Sequence, residues 1–126
     1  MRTAFISGHL DLTEEEFSEH YVALIDEALK EGCSFVVGDA RGADTMAQQY
    51  LKDKTNNVRV FHAYNAPRNN LGFSKSGGFH SQSAKDYAMT KFSNFDIAWV
   101  RPGREDSGTQ RNLDRRKEII KQANNK

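Results

Sequence analysis

Cysteine is nearly missing from this chain: Cys33 stands alone among 126 residues. An internal disulfide framework is therefore excluded, and a cysteine-based zinc site is argued against. Cys33 sits at the entry to an apolar run, which reads as a buried, inert thiol and not as a nucleophile. Charge of one sign is missing too. Eighteen Lys and Arg against 17 Asp and Glu leave a formal charge of +1, so general electrostatic capture of DNA or RNA is not indicated. No apolar run is long enough to span a membrane, and Met1-Arg2-Thr3-Ala4-Phe5-Ile6-Ser7 is too short an apolar start for a signal peptide. The expectation is a soluble, cytoplasmic protein. Repeats, low-complexity tracts and internal linkers are also missing, and 126 residues suffice for one core but not two, so residues 1–126 read as a single domain.

What the chain does contain is two units of apolar strand, glycine loop and helix. In the first, Ser34-Phe35-Val36-Val37 leads into Gly38-Asp39-Ala40-Arg41-Gly42-Ala43-Asp44, and a helical pattern with Met46, Ala47, Tyr50 and Leu51 follows. That arrangement turns backbone N–H groups and a helix dipole toward an anion. Gly38 and Gly42 permit a sharp turn and close approach to the backbone. Arg41 offers a planar donor fork for phosphate or carboxylate. Asp44, in the first helical turn, suits a ribose hydroxyl or simply stabilises the helix. A tight connection with ordinary capping is the plainer alternative, because short glycine motifs are unspecific. In the second unit, the strand Phe95-Asp96-Ile97-Ala98-Trp99-Val100 runs into Arg101-Pro102-Gly103-Arg104-Glu105-Asp106-Ser107-Gly108-Thr109 and another helix.

Taken in order, Ala4-Phe5-Ile6 reads as a buried strand ending at Ser7-Gly8-His9. Thr13 opens a helix with Glu16 three residues on, a capping-box pattern, and Gly32 closes it. Phe17, Tyr21, Leu24, Ile25, Ala28 and Leu29 share one face of that helix. After the first glycine loop a helix is expected over 43–54, and the alternation from Val58 to His62 predicts a third strand. The pattern dissolves from Tyr64 to His80, where Phe73 and Phe79 among polar residues suggest a lid or an interface. A helix from Ser83 to Phe92, the late strand and a last helix from Thr109 follow, with the tail from Ala123 to Lys126 expected to fray. Alternating strands and helices predict an α/β fold: a single Rossmann-like three-layer domain with a four- or five-stranded parallel sheet. In such a sheet the loops after the strands share the carboxyl edge, so Ser7-Gly8-His9 and both glycine loops should converge on one small-molecule cleft.

These residues resemble the SLOG superfamily, the Rossmann-like group that includes lonely-guy cytokinin-activating enzymes, DprA-type proteins and YspA-like domains. The likeness covers most of the chain. It runs through Ser7-Gly8, then Gly38-x-Ala40-Arg41-Gly42-Ala43-Asp44, then Pro102-Gly103 and Ser107-Gly108-Thr109, a looser form of P-G-G-x-G-T. The resemblance implies a nucleotide or nucleotide-derived ligand, with phosphate near the second loop. Its lonely-guy branch cleaves the base–ribose bond of nucleoside monophosphates with a glutamate three residues after the G-T threonine. Asn112 holds that position here. An amide is neither a carboxylate base nor a negative charge beside an oxocarbenium ion. The resemblance therefore favours a binding module, a sensor or a sequestering sponge, over an N-glycosidase or deoxyribosyltransferase-like enzyme. Glu105, Asp106 and Asp86 are the carboxylates that could restore catalysis. An interaction domain without a ligand is the third class.

The candidate ligand-binding set is accordingly Ser7, Gly8, His9, Gly38, Arg41, Gly42, Ala43, Asp44, Gly103, Arg104, Ser107, Gly108 and Thr109. No metal and no cofactor are expected, and monomer and homo-oligomer are both open. Arg104 and Arg111 suit a phosphate role beside a helix N-terminus, whereas Arg115 and Arg116 read as a solvated basic face. His20 reads as surface and Trp99 as core. Tyr64 and Tyr87 are open candidates for base stacking, and Lys85-Asp86 begins a helix whose N-terminus either faces the cleft or, the slightly preferred reading, carries plain capping electrostatics. His62 and His80 bracket the long loop, but nothing in the spacing brings them together for a metal.

Overall fold

The computed structural model describes residues 2–124. Among these, five strands form one sheet: β1 (Thr3–Ile6), β2 (Ser34–Val37), β3 (Val58–Ala63), β4 (Ser74–Phe79) and β5 (Phe95–Ile97). All neighbouring strands are parallel, in the order β4-β3-β2-β1-β5. The helices are α1 (Glu14–His20), α2 (Val22–Lys30), α3 (Ala43–Leu51), α4 (Gln82–Phe92) and α5 (Gly108–Asn124). The protein is a single α/β, Rossmann-like domain.

The period of two along the strands decides which helices cover which face. Ala4 and Ile6 stand in register with Phe35 and Val37, and these pack with Val58 and Val60 against Phe17, Tyr21, Ile25, Ala28, Ala47 and Leu51 of the first three helices and the Tyr21 junction. Phe5, Val36 and Phe61 point the other way and meet Met89 of α4. α5 packs beside α4, held by Arg116. Its guanidinium bonds both carboxylate oxygens of Asp96 at 3.2 and 3.3 Å and the carbonyls of Thr90 and Ser93 at 3.0 and 2.8 Å. Arg116 is therefore a half-buried clamp, not part of a solvated face.

The capping box forms as the sequence predicts: Thr13 Oγ1 accepts from Glu16 N–H, and Glu16 accepts from Thr13 N–H. The helix it opens is nevertheless broken at Tyr21, whose φ of −119° departs from helical geometry. Tyr21 is fully buried, and its hydroxyl donates to the Ser7 carbonyl at 2.8 Å while accepting from Trp99 N–H at 3.1 Å. That tertiary bond fixes the ring between the ends of β1 and β5. Leu24, expected on the packed face, is exposed.

The expected lid is a strand. β4 joins the edge of the sheet beside β3, and the loop before it is docked, not free. Gln48 of α3, fully buried, donates to the Asn69 carbonyl and accepts from Leu71 N–H at 3.1 and 3.0 Å. Phe73 packs on one core and Phe79 stacks on Phe61 in the other. Gly77 lies under the His62 ring, which occupies the space a Cβ would need. β5 stops at Ile97, three residues early, because Trp99 leaves the sheet to stack on His20 with ring centroids 3.9 Å apart. His20 is thus a partner of Trp99 and not a free surface residue. α3 ends at Leu51 and not at Lys54. Ala123 and Asn124 stay helical in α5, while Asn125 and Lys126, also expected to fray, lie outside the described residues.

Candidate functional site

Strand order runs from β1 out to β4 and then jumps back to β5 on the other side of β1. That reversal is where an open parallel sheet can receive a ligand at its carboxyl edge. The loops leaving β1, β2 and β5, together with α4, line a cavity of about 330 Å³ there. From the β1 loop come Ser7, Gly8, His9 and Leu10; from the β2 loop and α3 come Gly38, Ala40 and Asp44. α4 adds Gln82, Lys85, Asp86 and Met89, and the segment after β5 adds Arg104, Ser107, Gly108, Thr109, Arg111 and Asn112. Arg68 reaches in from the β3–β4 loop.

Part of this lining is a helix N-terminus with two arginines. α5 starts at Gly108, with Ser107 Oγ accepting from Gln110 N–H at 3.3 Å. The N–H groups of a first helical turn have no intrahelical partners and carry the positive end of the dipole. Arg104 and Arg111 stand beside them on the cavity wall. Arg104 also pairs with Asp11 at 3.6 Å, so this cation is only partly committed.

Another part of the lining gathers the Asp44 and Asp86 carboxyls around the buried Lys85 ammonium. Lys85, 5% exposed, lies 3.7 Å from Asp39 Oδ1 and 3.7 Å from Asp86 Oδ1. Burial pulls Asp39 upward, but hydrogen bonds from Arg68 N–H and Nη2, both 2.8 Å, outweigh it and hold its carboxyl low. Asp44 has no such clamp. Burial pushes its carboxyl up to about 7, against Lys85 and a 3.1 Å bond from Ala40 N–H, with Asp86 and Asp39 reinforcing the rise. Burial raises Asp86 as well. Near neutral pH this wall therefore holds a carboxyl able to bear a proton beside a fixed cation.

Ser7, 6% exposed, also lines the cavity. Among the described residues its Oγ is the one buried side-chain polar atom without a hydrogen-bond partner. His9 serves the loops instead, since its Nε2 accepts from Arg101 N–H and the ring holds that segment in place.

Of the residues the sequence singled out, the structure brings Ser7, Gly8, His9, Gly38, Asp44, Asp86, Arg104, Ser107, Gly108 and Thr109 to this cavity. Arg41, Gly42, Ala43, Gly103, Glu105 and Asp106 are not part of its lining. Arg41 is exposed. Gly42, at φ +76°, is pressed against the His9 and Leu10 carbonyls, and Ala43 N–H donates to His9 O at 3.1 Å. The C-terminal part of the first glycine loop thus packs backbone to backbone on the β1 loop, while Gly38, Ala40 and Asp44 face the cavity. Glu105 accepts from Gly103 N–H at 2.8 Å, and Asp106 gives its carbonyl to Arg111 at 2.8 Å. Tyr64 and Tyr87 are exposed but lie outside the cavity lining, as does the His62–His80 pair. No group of three or more His, Cys, Asp or Glu among the described residues could hold a metal. Sequence reasoning passed over Arg68 and Gln82, since neither falls in a motif; Lys85 and Asn112 were seen, but not as site groups.

No protein-family model, curated protein or solved structure matches the chain. No helix among the described residues is long and apolar enough to cross a membrane. The geometry of the cavity therefore carries the functional reading.

Proposed function

We propose that the cavity binds a nucleotide or a nucleotide-derived small molecule, and that the protein is a SLOG-like sensor or sequestering module acting in the cytoplasm. The observation that carries this reading is the mixed lining of the cavity: the α5 N-terminus with Arg104 and Arg111, and the carboxyls of Asp44 and Asp86. A phosphate suits the helix N-terminus and its arginines, and ribose hydroxyls or base amino groups suit the carboxyl acceptors. A volume of about 330 Å³ falls in the range of small-ligand pockets. Thermal unfolding with a panel of nucleoside mono-, di- and triphosphates and their parent nucleosides tests it. At a hundredfold excess over Kd a true ligand stabilises by about 2.7 kcal/mol, several degrees in a domain of this size. A panel without any shift sinks the proposal.

A second reading, an N-glycosidase or deoxyribosyltransferase-like enzyme, is favoured by Asp44. A carboxyl raised to about 7 can donate a proton to a leaving base, and Asp86 is a second carboxyl on the same cavity. Prolonged incubation with the best-binding nucleotide, followed by chromatography for free base, separates the two readings. Base release that Asp44→Asn and Asp86→Asn both abolish would establish the enzyme.

A further inference from the structure

Asn112 lines the cavity from early in α5 and is 5% exposed. Arg115, three residues on, donates from Nη1 to Asn112 Oδ1 at 2.6 Å. A guanidinium has donors and no acceptor, so this contact decides which end of the amide is oxygen. With Oδ1 held by Arg115, the polar group left for an occupant of the cavity is Nδ2, which only donates. The wall around it is mixed, since the Asp86 carboxyl lines the same cavity within electrostatic reach of Arg111 and Arg115, but two further groups can donate. Arg111 precedes it in the chain and lines the same cavity, and Ser7 brings a hydroxyl that no protein group satisfies. Buried polar groups are nearly always paired, so an unmet hydroxyl and a fixed donor on one cavity call for a ligand that supplies acceptors.

We propose that Asn112, its amide oriented by Arg115, is a selectivity element that takes a phosphoryl oxygen of the ligand. This rests on the reading of the cavity as a nucleotide site and adds which ligand atom meets this part of α5. Asn112 touches the ligand; Arg115 is a positioning residue acting through it. A carboxylate at position 112 would turn the donor into an acceptor and set like charges against each other. The site therefore distinguishes a phosphate ester from its parent nucleoside by chemistry at this side chain, in addition to the general pull of Arg104 and Arg111.

The test uses the full chain, with inorganic phosphate and adenosine 5′-monophosphate as probes at constant ionic strength. Titration of 15N-labelled protein should move the Asn112 side-chain NH2 resonances saturably with both probes, the signals being assigned by their loss in Asn112→Ala. In calorimetry, Asn112→Asp should weaken both probes at least tenfold. Arg115→Met should weaken them three- to tenfold, and that loss should vanish in the Asn112→Ala background, where a purely electrostatic or structural role of Arg115 would persist. Should Asn112→Asp fail to fold, Asn112→Ala replaces it with an expected loss of threefold or more. Saturable binding by the wild type with unmoved Asn112 resonances, or unchanged affinity in the folded variants, overturns this inference alone. Failure of the wild type to bind either probe overturns it as well, and failure across the whole nucleotide panel overturns the reading of the cavity too.

Discussion

His9 Nε2 accepts a hydrogen bond from the backbone N–H of Arg101 at 2.8 Å, across 92 positions of sequence. The Arg101 side chain then bonds Glu16 through Nε at 2.9 Å and Nη2 at 2.7 Å, and Asp11 at 3.2 Å. Bonding to Arg101 holds the Glu16 carboxyl down at about 2. The loops after β1 and β5, which form much of the cavity, are thus stapled together by one ring and one guanidinium.

A protonated His9 would set a donor against the Arg101 N–H. Burial first, then Arg104 and Arg101, lowers its pKa below the ordinary 6.5. A folded pKa below the unfolded one means that stability from this group is present above about pH 6.5 and is lost as pH falls below it. Glutamine can accept the same bond without titrating. Denaturant unfolding at pH 7.5 and pH 5.0 should show a smaller acid loss in His9→Gln than in wild type; equal losses would remove His9 from the staple.

Asp44 has the opposite sign. Its folded pKa of about 7 lies above the ordinary 3.8, so the protonated form favours folding and stability declines as pH rises through that window. Asp44→Asn keeps an acceptor for Ala40 N–H and removes the titration. Relative to wild type, the variant should gain roughly 2–3 kcal/mol between pH 5 and pH 8, about 1.4 kcal/mol per pH unit within the window. A pH-independent difference between the two proteins would show that Asp44 is ionised throughout.

Removing one oxygen tests the break between α1 and α2. Tyr21→Phe leaves the Ser7 carbonyl and the Trp99 N–H without the partner each now has. An unsatisfied buried polar group costs about 1–3 kcal/mol, so the variant should lose stability on that scale in urea unfolding. Ligand affinity should fall as well, because Ser7 lines the cavity. A variant as stable as wild type would mean that water replaces both bonds.

Two glycines of the cavity lining, Gly8 and Gly108, differ in what a side chain would meet. A Cβ on Gly8 would collide with the Tyr21 hydroxyl and the Ala43 side chain, whereas one on Gly108 would meet only Arg111 Nη2, at 3.6 Å. Gly8→Ala should therefore be destabilised by roughly 1–3 kcal/mol or more, as an overpacked core is, and Gly108→Ala should fold at near wild-type stability. In calorimetry with the best nucleotide of the panel, Arg41→Ala should leave affinity unchanged. Arg104→Ala should reduce it roughly tenfold, from a charge-assisted bond worth about 1.5 kcal/mol. The reverse pattern would move the anion to the first glycine loop.

The class of fold, and the edge at which its chemistry gathers, are legible in the chain alone. Those features are written locally, in the period-two pattern of Ala4–Ile6 and Phe35–Val37, the capping box at Thr13, and the glycine turns after two strands. What depends on distant partners is not. β4 carries almost no strand signal in Ser74-Lys75-Ser76-Gly77-Gly78, because an edge strand is defined by its ladder to β3 and by the His62 ring over Gly77. Likewise the two glycine loops look alike in sequence, yet Gly42 of the first closes on the backbone of His9 and Leu10, while Ser107, Gly108 and Thr109 of the second all line the cavity. Which donors meet a ligand depends on pairings such as Arg68 with Asp39 and Arg115 with Asn112. The first is made between loops 29 positions apart, and the second gains its meaning only from the cavity that the sheet places beside α5.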